Sequence, residues 1–179
     1  MSIPSSRSDN LGPDSAPAGV VPQPATVASR ASSASGAQAQ LSVAWAAGFA
    51  DGECCIHVAR QTYRCGRRDT HRLRLQIYQN DCEVLEHFRD VVGASARVYP
   101  VKRTPQHTRQ VYQINLDGQE AMDVIALLTP HLIRKKAEAL AARTYWTEGE
   151  AGKHFGPNGM PPEIRAIRER LYLEMRSLK

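Results

Sequence analysis

Two spacings of apolar residues run through the chain and divide it into elements. Apolar positions alternate at Ile56 and Val58 and again at Leu73, Leu75 and Ile77, with the polar stretch Cys-Gly-Arg-Arg-Asp-Thr between them. Alternation on both sides of a polar segment predicts a β-hairpin. Val84, Leu85, Phe88, Val91 and Val92 then follow at helical spacing, opened by Asp81 as an N-cap and closed by Gly93. The pattern repeats. Residues 96–117 predict a second pair of strands, with Pro105 in the turn and Tyr112, Ile114 and Leu116 on one face. Met122, Ile125 and Leu128 return to helical spacing, Pro130 breaks or kinks it, and Leu132 and Leu140 carry it on. A final amphipathic helix starts at a Pro pair, and an Ala-rich helix from Leu41 to about Ala50 precedes everything, ending near Gly52. The order is helix, hairpin, helix, hairpin, helix, helix. It predicts an α+β domain whose four strands form one antiparallel sheet with helices on one face.

Composition changes this picture mainly at the start of the chain. Residues 1–40 hold five Pro, nine Ser and no aromatic residue or apolar period, so they read as a disordered Ser/Ala/Pro-rich tail ahead of a domain spanning 41–179. The tail has no continuous apolar run, which argues against a secretory signal. A cytoplasmic location is expected, or an organellar one should the tail act as a transit peptide. No stretch is long and apolar enough to span a membrane. Cys54, Cys55, Cys65 and Cys82 form no C-x-x-C pair and are expected to be free thiols.

Charge is more informative in its placement than in its net value of +5. Between Arg60 and Gln79 six Arg stand against the single Asp69; Arg97, Lys102, Arg103 and Arg109 follow with no acid among them up to Asn115. If the alternating apolar residues face the helices, His57, Gln61, Tyr63, Arg72, Arg74, Gln76 and Tyr78 face outward from the first hairpin. Arg109, Gln113 and Asn115 do so from the second. With Arg97 and Arg103 these residues form a set of donors and acceptors without a carboxylate. Such a face suits phosphates and base edges, and a β-ribbon fits a major groove. The competing reading is a pair of solvated basic hairpins.

The stretch "VAWAAGFADGECC" poses the sharpest question. Ala44, Ala47, Gly48 and Asp51 fall on one helical stripe almost without side chains, which lets a second helix approach closely. Two copies packed about a two-fold axis bring two Asp51-Gly52-Glu53 ends together. Converging carboxylates repel unless they share cations, and Mg²⁺ prefers oxygen ligands near a phosphate.

Ala46-Ala47-Gly48-Phe49-Ala50-Asp51-Gly52-Glu53-Cys54 resembles the LAGLIDADG motif of homing endonucleases. The twofold helix–hairpin alternation is similar to that family's α-β-β-α-β-β-α core. Leu128 to Leu140, with its Pro and Lys-Lys pair, resembles the family's second familiar segment, so the resemblance covers about Leu41 to Leu140. It implies a single-motif, homodimeric, Mg²⁺-dependent endonuclease that cuts double-stranded DNA at a long pseudo-palindromic site. Position by position, it implies that Glu53 holds the catalytic metals, one copy from each motif helix, and that Gly52 lends its carbonyl. Asp51 becomes the helix-end residue that stabilises the helix and its partner. Gln79 orders solvent near the scissile phosphate, and Lys135 lies on the active-site rim. Three positions depart from the family pattern: Ala46 replaces a larger apolar residue, Cys54 stands where Gly is usual, and Glu83 lies near where some members place a basic residue. An RNA-binding intron maturase and a non-cleaving DNA-binding regulator on the same scaffold are the alternative readings.

Overall fold

The computed structural model describes residues 42–61, 70–103, 108–157 and 159–179. Helix α1 (42–53) runs directly into strand β1 (Cys54–Gln61), which is followed by β2 (Thr70–Gln79) and helix α2 (Cys82–Val92). Strands β3 (Val98–Pro100) and β4 (Tyr112–Asp117) lead to α3 (Gly118–Leu128), a 3₁₀ turn (Thr129–His131), α4 (Lys136–Glu148) and α5 (Pro162–Ser177). The four strands make one antiparallel sheet in the order β1-β2-β4-β3, so the two hairpins sit side by side with β2 and β4 at the centre.

Alternation decides which face is covered. Ile56, Val58, Leu73, Leu75, Ile77, Ile114 and Leu116 are all buried against the helices. From the helical side Ala46, Ala47, Ala50, Leu85, Phe88, Ile125, Leu128, Ala142 and Tyr145 meet them. The alanines of α1 let that helix lie close on the sheet, since a methyl group adds little height. Helix α2 has the ends its sequence dictates: Asp81 accepts from the Glu83 N–H at 2.9 Å, and Gly93 closes the helix at φ 66°. Two buried polar contacts fix the far side of the domain. The Tyr145 hydroxyl donates to the His71 carbonyl at 2.9 Å, and Arg168 Nε donates to the Gly149 carbonyl at 2.6 Å. Among the described residues no helix is long and apolar enough to cross a membrane.

The expected order of elements and the single antiparallel sheet are observed. Three details differ. Helix α1 continues through Glu53 instead of ending at the glycine, because β1 begins one residue later. Pro130 breaks the third helical segment fully, placing a 3₁₀ turn and residues 132–135 between α3 and α4. Leu140 therefore falls out of phase with the core and is 49% exposed, whereas Ala139 and Ala142 are buried. The tail, Tyr63, Cys65 and Pro105 lie outside the described residues.

Candidate nucleic-acid interface and helix-end site

The uncovered face of the sheet is a grid set by strand register. One row runs His57, Arg74, Asp117; the next runs Cys55, Gln76, Asn115; a third runs Tyr78, Gln113, Tyr99. Gln61 lies at the end of β1, half-buried, and Arg72 carries its side chain 53% exposed. Asn115 Nδ2 donates to the Tyr99 hydroxyl, which links the β3 and β4 edge of the grid. Arg97 is exposed just before β3, and Arg103 and Arg109 are exposed on either side of residues 104–107. The outward set is thus polar, with more basic than acidic side chains, and the grid spaces its side chains by the strand separation of about 4.8 Å.

One part of that expectation is corrected. The face does carry an acid, Asp117, and it is paired. Arg74 Nε donates to Asp117 Oδ1 at 2.6 Å and Nη2 to Oδ2 at 3.0 Å, while Arg72 Nη1 lies 3.9 Å from Oδ2. Arg74 is therefore not an independent positive charge on this surface, and its partner holds its guanidinium more firmly protonated than usual. The same alternation that turns Gln113 and Asn115 outward on β4 turns Asp117 outward as well. Cys55 also faces outward. Its hydrogen bond to His57, opposed by partial burial and aided by Lys179, lowers its thiol to about 7.

The end of α1 separates its two acids. Asp51 is buried, and its carboxylate accepts backbone N–H groups from Ile133 (2.7 Å), Arg134 (3.1 Å) and Lys135 (2.9 Å). Burial pushes this carboxyl up, but the three donors outweigh it, so it titrates below the ordinary range. Gly52 and Glu53 are exposed. Lys135 is tied beside them through its own N–H to Asp51, and its Nζ lies 3.4 Å from Glu138 Oε1. Burial drives the neighbouring Cys54 thiol up to about 12 against the pull of Lys135. Gln79 ends β2 at the same edge of the sheet, since Cys54 pairs with Ile77. It lines a shallow hollow with Glu83, Arg109 and Tyr112. Glu53, Gln79 and Lys135 thus flank one end of the sheet. Lys135, expected as a rim cation, has Glu138 as an ion partner.

The small stripe on α1 divides between exposed and buried positions. Ala44 and Gly48 are exposed, and a Cβ built on Gly48 or Gly52 meets no atom within 4 Å. Ala47 is fully buried in its own core and Asp51 caps its own chain, so neither is free to meet a second helix. The open surface is instead Ala44, Gly48 and Gly52, four residues apart. Beside it stands Trp45, 39% exposed and stacked on Phe49 at 5.6 Å. Among the described residues no three His, Cys, Asp or Glu side chains gather in a way that could hold a metal ion.

This arrangement is the fold of the LAGLIDADG homing endonucleases. The structure of homing endonuclease I-CvuI in complex with DNA matches 79% of this chain and 84% of its own, with a TM-score of 0.63 and 20% identity. The archaeal intron-encoded homing endonuclease I-Vdi141I, complexed with DNA, matches 78% of this chain and 85% of its own at a TM-score of 0.62 and 20% identity. I-GzeII, a LAGLIDADG homing endonuclease in complex with its DNA target, matches 75% of this chain but 43% of its own, at a TM-score of 0.52 and 15% identity. No protein-family model and no curated protein matches the chain.

Proposed function

We propose that this protein is a LAGLIDADG-type homing endonuclease: a site-specific, metal-dependent enzyme that cuts double-stranded DNA as a homodimer on a long pseudo-palindromic site. The observation that carries the reading is the separation of the two acids at the end of α1. Asp51 is consumed by three backbone donors, and Glu53 is left exposed at the end of an exposed small-residue stripe. One chain supplies one such carboxylate. The two lengths at which the fold recurs agree with this, since the chain matches most of I-CvuI but under half of I-GzeII. Two copies packed along Ala44, Gly48 and Gly52 supply two Glu53 carboxylates and two Gly52 carbonyls.

That donor set fits Mg²⁺, a hard cation that takes oxygen ligands and keeps several waters. When bound, the metal supplies a more acidic water and positive charge to offset the transition state. The chain's own residues do the rest. Gln79 offers an amide to orient water, Lys135 places an ammonium near the phosphate, and the basic sheet holds the duplex in register. I-CvuI has been seen with DNA in the presence of Mg, where the DNA is not cleaved, and of Ca, which is consistent with divalent metal use.

The test is Glu53→Gln, which keeps the side chain's size and removes its charge. With target-bearing plasmid, cleavage in Mg²⁺ should vanish while the gel-shift persists. Undiminished cutting would sink the assignment. A wild type that binds DNA tightly and never cuts would make the protein a regulator, and a preference for structured RNA would make it a maturase.

A further inference from the structure

Asp117 breaks a local rule, and the break is informative. It occupies the N-cap of α3 with the extended backbone expected there (φ −123°, ψ 146°), yet its side chain makes no capping bond. An Asp at an N-cap ordinarily accepts an N–H of the first turn. Here both carboxylate oxygens turn away from the helix and onto Arg74, directly opposite on β2. A residue that forgoes a favourable local bond marks a place where another requirement prevails.

The pairing geometry shows what that requirement is. Asp117 engages Nε and Nη2, the side edge of the guanidinium. A planar guanidinium has five N–H donors, so the end edge, Nη1 and Nη2, keeps a parallel pair. Both side chains are about three-quarters buried, 25% and 26% exposed, and this fixes the plane. Their row also contains His57, on the uncovered face of the sheet. A bidentate Arg end edge in a major groove matches the O6 and N7 acceptors of guanine. A carboxylate beside it disfavours approach of a phosphate. We propose that Asp117 is a specificity-determining residue: it positions Arg74 to read one guanine in each half-site, in place of contacting the backbone. The proposal rests on the DNA-binding reading above and goes beyond it in naming the base and the positioning residue.

The experiment is selection of bound sequences from a randomised duplex library by wild type, Asp117→Asn and Arg74→Lys, each checked for folding by its melting curve. Wild type should enrich guanine at a pair of positions related by the site's two-fold symmetry. Arg74→Lys keeps the charge but has no planar fork, and should reduce the preference there by about 5- to 150-fold. Asp117→Asn should relax the same two positions and no others. A merely structural pair would lower the melting temperature of Asp117→Asn and leave the base preference intact, which would overturn the proposal. A wild type that selects guanine at positions indifferent to both variants would overturn it too. Failure of the wild type to enrich any sequence would instead overturn the DNA-binding reading itself.

Discussion

Replacing Asp51 tests whether the end of α1 is organised as described. Its carboxylate is 7% exposed and joins α1 to a segment more than eighty residues away through the N–H groups of Ile133, Arg134 and Lys135. Hydrogen bonds to a charged group contribute about 1.5–3 kcal/mol each, but three that share one acceptor do not simply add. Asp51→Ala leaves those three part-buried donors at the start of α4 without their acceptor, so we expect a loss of about 3–5 kcal/mol. For a domain of this size that corresponds to a fall in Tm of roughly 10 °C. Asp51→Asn should lose nearly as much, because the amide presents a donor where the carboxylate presented an acceptor. The sign with pH follows from the depressed carboxyl. Its contribution is present above the ordinary carboxylate pKa and is lost as pH falls through the lower value of the folded state. The gap between wild type and Asp51→Asn should therefore be widest near neutrality and close in acid. Thermal melts at fixed protein concentration, at neutral and acidic pH, measure both. A neutral-pH Tm for Asp51→Ala within about 2 °C of wild type would refute the reasoning.

Glu53→Gln should melt within about 0.5 kcal/mol of wild type, since the residue is exposed, and this separates lost cleavage from lost folding. Gly48→Leu should leave the folded chain sound, because a Cβ there meets nothing and Gly is the poorer helix former by about 1 kcal/mol. It should nevertheless break the dimer, as light scattering would show; a wild-type monomer at micromolar concentration would remove the basis for this prediction. Arg72→Ala should weaken DNA binding by about 1–3 kcal/mol if the side chain reads a base, and affinity should fall steeply with added salt. Binding indifferent to salt would point to a different partner.

The fold was legible because two periodicities coexist in the chain. Ile56, Val58, Leu73, Leu75, Ile77, Ile114 and Leu116 alternate and all are buried. The site was legible only in part, for reasons specific to its residues. A stripe of small residues carries no sign of direction: Ala44 and Ala47 are chemically alike, yet one faces out and the other is packed in the core. Asp51 has partners 82 to 84 positions away, a distance no local pattern spans. The Arg74–Asp117 pair depends on β2 lying beside β4, and hairpin patterns fix pairing within each hairpin but not between the two. The Lys135–Glu138 pair was within reach, being three residues apart on one helical turn.

The geometry of α1 also explains why two acids in one motif need not share a task. At 3.6 residues per turn, positions two apart point about 200° away from each other. If Asp51 turns inward, Glu53 must turn outward, so burial of one helps to ensure exposure of the other. Asp51 further fixes the Lys135 backbone against the same helix end. The inward acid thus sets where the rim lysine stands relative to the outward acid. Asp51→Asn should consequently lower cleavage even at temperatures where it remains folded, through Lys135 and not through the metal. Raising the Mg²⁺ concentration should then fail to restore the rate. A variant fully rescued by Mg²⁺ would show instead that Asp51 takes part in holding the ion.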